Sequence, residues 1–143
     1  MIIKGPRGKD DRLIKRTVSQ FNIGGRMNEL SKMHCISVKA DSPSLNGHEI
    51  DQMIEQLPGW HTAEKESELR LEKLFKFKDF SQAVAFTDQV ARAANEEDHH
   101  PAILTEWGKV TVTWWTHAIK GLHQNDFIMA AKTEDIYKGS NQR

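Results

Sequence analysis

Cysteine is almost missing from this chain. Cys35 is the only one in 143 residues, so no disulfide can form within the chain. That suits a reducing compartment. Long apolar runs are missing too: no stretch reaches the roughly 18 residues of a membrane span, and the N-terminus lacks an apolar signal segment. There is no excess of charge of either sign, with 20 basic residues against 20 acidic ones. No overall field therefore draws the chain to nucleic acid or to a membrane surface. There is no glycine-rich phosphate cradle, no serine in a nucleophile elbow, and no Glu-x-x-His or His-x-x-x-His pair to mark a metal site. These absences point to a soluble, cytoplasmic protein that makes no direct nucleic-acid contact, enters no membrane and needs no metal or cofactor.

Residues 1–44 read as an N-terminal extension, mostly disordered or a leader. The run from Lys4 to Arg12 mixes charge with Gly and Pro and has no apolar period to bury. Met27 and Met33 are alternative starts. His34 beside Cys35 is only half of a metal-ligand set. From Ser44 the pattern changes, and one domain is expected over 45–138, with a frayed polar tail at 139–143.

Leu45, Ile50, Met53, Ile54 and Leu57 recur at helical spacing, with Glu49 and Asp51 near the helix start and Pro58-Gly59 at its end. Trp60 opens a strand, and 64–68 is a charged turn. Leu69, Leu71, Phe75 and Phe77 then share one parity, and Arg70, Glu72, Lys76 and Lys78 the other. That predicts a half-buried strand with one wet face, broken only at Lys73 and Leu74. Asp79, with Gln82 three residues on, caps a long helix carrying Phe80, Ala83, Val84, Thr87, Val90, Ala91 and Ala94. Residues 103–107 and 109–116 form a hairpin about Gly108, with Val110, Val112 and Trp114 on one face and Thr111, Thr113, Trp115 and His117 on the other. Asn125 or Asp126 caps a last helix through Ile128, Met129, Ala131 and Tyr137. The order predicts an α+β fold: a four-stranded antiparallel sheet with three helices packed on one face, in the order helix-strand-strand-helix-strand-strand-helix.

The candidate chemistry lies in the histidines. His99 and His100 must leave the long helix, because Pro101 disfavours helical geometry in the residue before it. The hairpin that follows returns His117 towards them. Three imidazoles at one pocket mouth suit proton transfer near neutral pH. A polar turn is an alternative reading of the pair. A metal site is a third, although consecutive residues in extended chain point to opposite sides. With Cys35 in the extension and no activated serine, cofactor-free acid/base catalysis is the chemistry left.

Asp98-His99-His100-Pro101, then Trp107-Gly108-Lys109-Val110-Thr111-Val112, then Thr116-His117 and Gly121-Leu122 with Asp126, resemble pterin-4a-carbinolamine dehydratases. The likeness is to the bacterial type associated with phenylalanine hydroxylase. Leu57-Pro58-Gly59-Trp60 and the run from Phe75 to Phe80 extend it over 45–137, and the segment from Met27 through His34-Cys35 resembles the start of bacterial members. The resemblance implies dehydration of a 4a-hydroxytetrahydropterin, left by an aromatic amino-acid hydroxylase, to a quinonoid dihydropterin. The pterin is substrate and no cofactor is implied. A homodimer or homotetramer is implied, with the hydroxylase as a possible partner.

By the same resemblance His99 and His117 form the acid/base pair and His100 binds or orients the pterin. Asp98 and Asp126 would fix a tautomer or raise a histidine pKa. Trp60, Trp115, Pro101 and Thr116 would complete the substrate-binding set, although Trp60 reads equally well as core. Many relatives carry a carboxylate four residues before the first histidine. Asn95 stands there in this chain, with Glu96 or Glu97 as the nearest substitutes. Animal relatives also serve as dimerisation cofactors of a homeodomain transcription factor, so a protein-binding module with the same fold is the alternative.

Overall fold

Two hairpins join through their second strands into one antiparallel sheet. The computed structural model describes residues 26–141, so the expectations for 1–25 and 142–143 lie outside the described residues. β1 (His61–Lys65) and β2 (Glu68–Lys76) form the first hairpin, and β3 (Ala102–Glu106) and β4 (Lys109–Trp114) the second. The sheet order is β1-β2-β4-β3, with Leu71 opposite Trp114 and Phe75 opposite Val110. Glu66 and Ser67 both take positive φ, 55° and 64°, as a two-residue type I′ turn requires. In the second turn Gly108 takes φ +75°, where a Cβ would press on the Phe77 carbonyl at 3.3 Å.

Four α-helices are described: α1 (Arg26–Ser31), α2 (Gly47–Ile54), α3 (Phe80–Glu97) and α4 (Gln124–Asn141). The architecture is the α+β one expected, with α1 as an addition. Asn46 and Glu49 make a reciprocal capping box at α2. Asp79 caps α3 by accepting the Gln82 N–H, whereas the Gln82 side chain accepts from Lys78.

The core lies between the helices and the sheet face bearing Leu71, Phe75, Val110, Val112 and Trp114, all buried. Phe75, Phe77, Phe86 and Tyr137 make an aromatic cluster with ring centroids 4.9–5.9 Å apart. In α3 the buried stripe runs Ala83, Phe86, Val90, Ala94, while Phe80 and Val84 are exposed. The apolar spacing was right, but the stripe sits closer to Phe86 than the list of apolar residues suggested.

Two positions in β2 depart from simple alternation for visible reasons. Lys73 is on the inward face, yet its Nζ reaches Glu134 at 2.6 Å and the Pro58 carbonyl at 3.2 Å. Arg70, expected on the wet face, is buried: its guanidinium lies 3.9 Å from the Trp115 ring centroid and bonds Glu68 at 3.0 Å.

The described part of the expected extension is packed, which corrects that reading. Leu30 of α1 is fully buried, and α1 lies against α4. This explains why residues 127–131 of α4 are buried on every side: the sheet and α3 take one flank and α1 takes the other. At the other end α4 continues to Asn141, into the stretch expected to fray.

Candidate active site

The end of α3 delivers the first two histidines. Asp98 takes the left-handed conformation, φ 53° and ψ 43°, which aspartate tolerates better than most residues. The His99 N–H bonds the Ala94 carbonyl at 3.1 Å and the Asp98 N–H bonds the Asn95 carbonyl at 3.3 Å. These are the two bonds of a Schellman stop, so Asp98 turns the chain and sends His99 and His100 off the helix axis. His117 arrives from β4. Beyond Trp114 the chain makes a 3₁₀ turn, His117–Ile119, closed by a bridge between Thr116 and Gly121.

His99 and Asp126 form the tightest polar contact of the site. His99 Nε2 lies 2.6 Å from Oδ1 of Asp126, which has no exposed surface. Oδ2 of the same carboxylate accepts from Thr116 Oγ1 at 2.8 Å and from the His123 N–H at 2.9 Å. Such a carboxylate accepts from the imidazole, placing the ring proton on Nε2 and leaving Nδ1 without a partner among the described residues. Trp114 backs the ring from the core, its plane within 8° of the imidazole at 5.8 Å.

His100 is more exposed, and its Nε2 meets Asn95 Oδ1 at 3.1 Å. Asn95 thus occupies, with a neutral amide, the place where a carboxylate was expected. The His117 ring is 85% exposed and its Nδ1 stands 3.8 Å from Glu68 Oε2. The cap of α4 is His123, where Asn125 or Asp126 was expected: its Nδ1 accepts the Asn125 N–H at 3.0 Å and Asp126 closes the reciprocal bond. Burial lowers the His123 pKa from its ordinary value, and His99 adds to that while the Asp126 carboxylate opposes it.

One cavity of about 550 Å³ joins these groups, and His99, His100 and His117 all line it with Asp98, Trp115 and Thr116. Three expected residues are placed elsewhere. Trp60 is core: it is 4% exposed, donates to Glu134 at 2.8 Å and packs edge-on against Phe75. Pro101 leads into β3 and does not line the cavity. Asp126 bonds His99 and does not itself line the cavity.

The same cavity is also lined by Cys35, Ile36, Ser37 and Val38, with Glu97 and Asn125. Burial of Glu97 would raise its pKa, but bonds from the Cys35 N–H and His34, with Lys132 nearby, outweigh this and hold it below the ordinary value. Cys35 is the reverse case: burial, with Glu97 and Asp126 adding, pushes its thiol up to about 12. A thiol so disfavoured as thiolate is no nucleophile at neutral pH. Among the described residues no three His, Cys, Asp or Glu side chains converge to hold a metal ion.

A family model described as pterin 4 alpha carbinolamine dehydratase matches residues 43–136. Among solved structures, a transcriptional coactivator/pterin dehydratase from Brucella melitensis is similar at 34% identity and a TM-score of 0.60, over 66% of this chain and 98% of that one. A pterin dehydratase-like protein, identified as a RuBisCO assembly factor in the alpha-carboxysome, is more distant. It shares 24% identity at a TM-score of 0.47, over 55% of this chain and 89% of that one.

Proposed function

The chain belongs to the pterin-4a-carbinolamine dehydratase family, and we propose that it dehydrates 4a-hydroxytetrahydropterin to quinonoid dihydropterin by histidine acid/base catalysis. The observation that carries this reading is the convergence of His99, His100 and His117 on one cavity, with His99 held by a buried carboxylate. The volume, about 550 Å³, suits a bicyclic heterocycle with a short side chain.

The reaction needs two proton movements. A base removes the proton from N5, and an acid protonates the C4a hydroxyl. The C4a–O bond then breaks, the N5 lone pair forms the N5=C4a double bond, and water leaves. His99, with Nδ1 free and its tautomer set by Asp126, and the exposed His117 are the two proton carriers. His100 orients the ring system. Trp115 supplies an aromatic wall, and Arg70 stacks over its ring at 3.9 Å. The chain works in this reading as a cytoplasmic homo-oligomer beside an aromatic amino-acid hydroxylase.

The test is direct. A hydroxylase generates the 4a-carbinolamine and the quinonoid product is followed by absorbance with and without this protein. A rate that does not change on adding the protein would sink the dehydratase reading.

A protein-binding role is the second reading, favoured by one observation. Leu74 and Leu104 flank Thr111 in a row across the helix-free sheet face, and both are exposed, as is Trp107 at the hairpin tip. A His99/His117 double variant that retains a protein partner in pull-down would support it. Loss of capture together with turnover would count against it.

A further inference from the structure

Residues 35–38 line the histidine cavity, yet they precede the span matched by the family model, which begins at residue 43. The fold spends two side chains on holding this strap. Glu97, at the end of α3, accepts the Cys35 N–H at 2.7 Å through Oε1 and meets His34 Nδ1 at 2.7 Å through Oε2. Asn125, in the first turn of α4, clamps Ile36 twice: Oδ1 accepts its N–H at 3.1 Å, and Nδ2 donates to its carbonyl at 2.8 Å. A carboxylate at a helix C-terminus opposes the dipole, and a buried asparagine left unpaired is costly. Among the described residues the Asn125 side chain is paired by the strap alone, and without the strap Glu97 keeps only Lys132, 3.8 Å away. Upstream, fully buried Leu30 and a 2.8 Å bond from Lys132 to the Ser31 carbonyl fix where the strap enters.

The clamps use the main chain only as far as Ile36. Among the described residues Ser37 and Val38 make no hydrogen bond, and both line the cavity. A flat heterocycle that reaches His99, His100 and Trp115 lies in the cavity the strap also lines.

We propose that residues 35–38 are a substrate-binding wall that sets affinity for the pterin, with Glu97 and Asn125 as the positioning residues that pin it. The inference rests on the dehydratase reading. A wall that grips substrate and transition state alike raises KM when lost and leaves kcat nearly intact.

Two variants test it, read by titration with a stable 7,8-dihydropterin and by the KM and kcat of dehydration. Ser37→Trp adds bulk at an exposed position, and Glu97→Ala removes one clamp. Each should raise Kd and KM about tenfold or more, the scale of one charge-assisted hydrogen bond, with kcat held within about threefold. Glu97→Gln keeps an acceptor for the Cys35 N–H and should recover most of the affinity. Should Glu97→Ala fail to fold, Ser37→Trp decides alone. Wild-type Kd and KM in Ser37→Trp, in a protein that binds and turns over pterin, would overturn the strap and leave the dehydratase reading standing. A wild-type chain that neither binds the dihydropterin nor speeds dehydration overturns both.

Discussion

His99 and Asp126 are 27 positions apart in the chain and 2.6 Å apart in space. The carboxylate is wholly buried and also ties down Thr116 and the start of α4, so one side chain joins the helix stop, the strand end and the last helix.

Asp126→Asn should therefore lose both stability and turnover. An amide presents one acceptor oxygen to three donors, so stability should fall by about 1–3 kcal/mol in chemical denaturation. Dehydration kcat should fall by on the order of 10²-fold or more, because the His99 tautomer is no longer set. Wild-type kcat in this variant would separate the carboxylate from the chemistry.

His117→Ala should behave differently. Its ring is 85% exposed, so the melting temperature should not move, while turnover falls by about 10²–10⁴-fold. His99→Ala should lower both, since it strips the Asp126 bond and the Trp114 stack. Paired melts and rate measurements on the two variants check the contrast.

Trp60→Phe tests the reassignment of that residue to the core. Loss of its bond to Glu134 should cost about 1–2 kcal/mol, with Lys73 still pairing the carboxylate. KM and kcat for dehydration should be unchanged. A raised KM without loss of stability would return Trp60 to the pocket.

His123 makes stability depend on pH. Its folded pKa is lowered from the ordinary 6.5, chiefly by burial, so the unfolded chain takes up the proton first. The stabilising contribution is present above 6.5 and is lost as pH falls below it, when a proton on Nδ1 would also remove the helix cap. Between about pH 7.5 and about pH 5 the wild-type melting temperature should drop further than that of His123→Asn, which keeps a capping oxygen at every pH. Parallel slopes would refute this.

Much of the fold was legible because its signals are local. Asp79 and Gln82 mark the α3 start, the parity of Val110, Val112 and Trp114 marks a buried strand face, and Gly108 marks the hairpin. The errors came where a residue's surroundings are supplied by distant chain. Arg70 reads as solvent-facing until Trp115 is folded over it. Lys73 reads as a break in the pattern until Glu134 arrives from α4. Residues 34–36 carry no period, because their partners are Glu97 and Asn125 and not one another. Glu97 reads in the sequence only as a substitute for the carboxylate absent at Asn95, and the His34-Cys35 likeness to bacterial chain starts is the one local sign that this stretch belongs with the domain.

The sequence by itself determined the order of helices and strands from α2 onward and the three histidines, since periodicity, capping and turn chemistry act over a few residues. Only the tertiary structure decided which carboxylate bonds His99, that Trp60 packs in the core, and that residues before the matched domain line the cavity. Each of those is a contact between segments far apart in the chain, chosen by burial and by the need to pair every buried polar group.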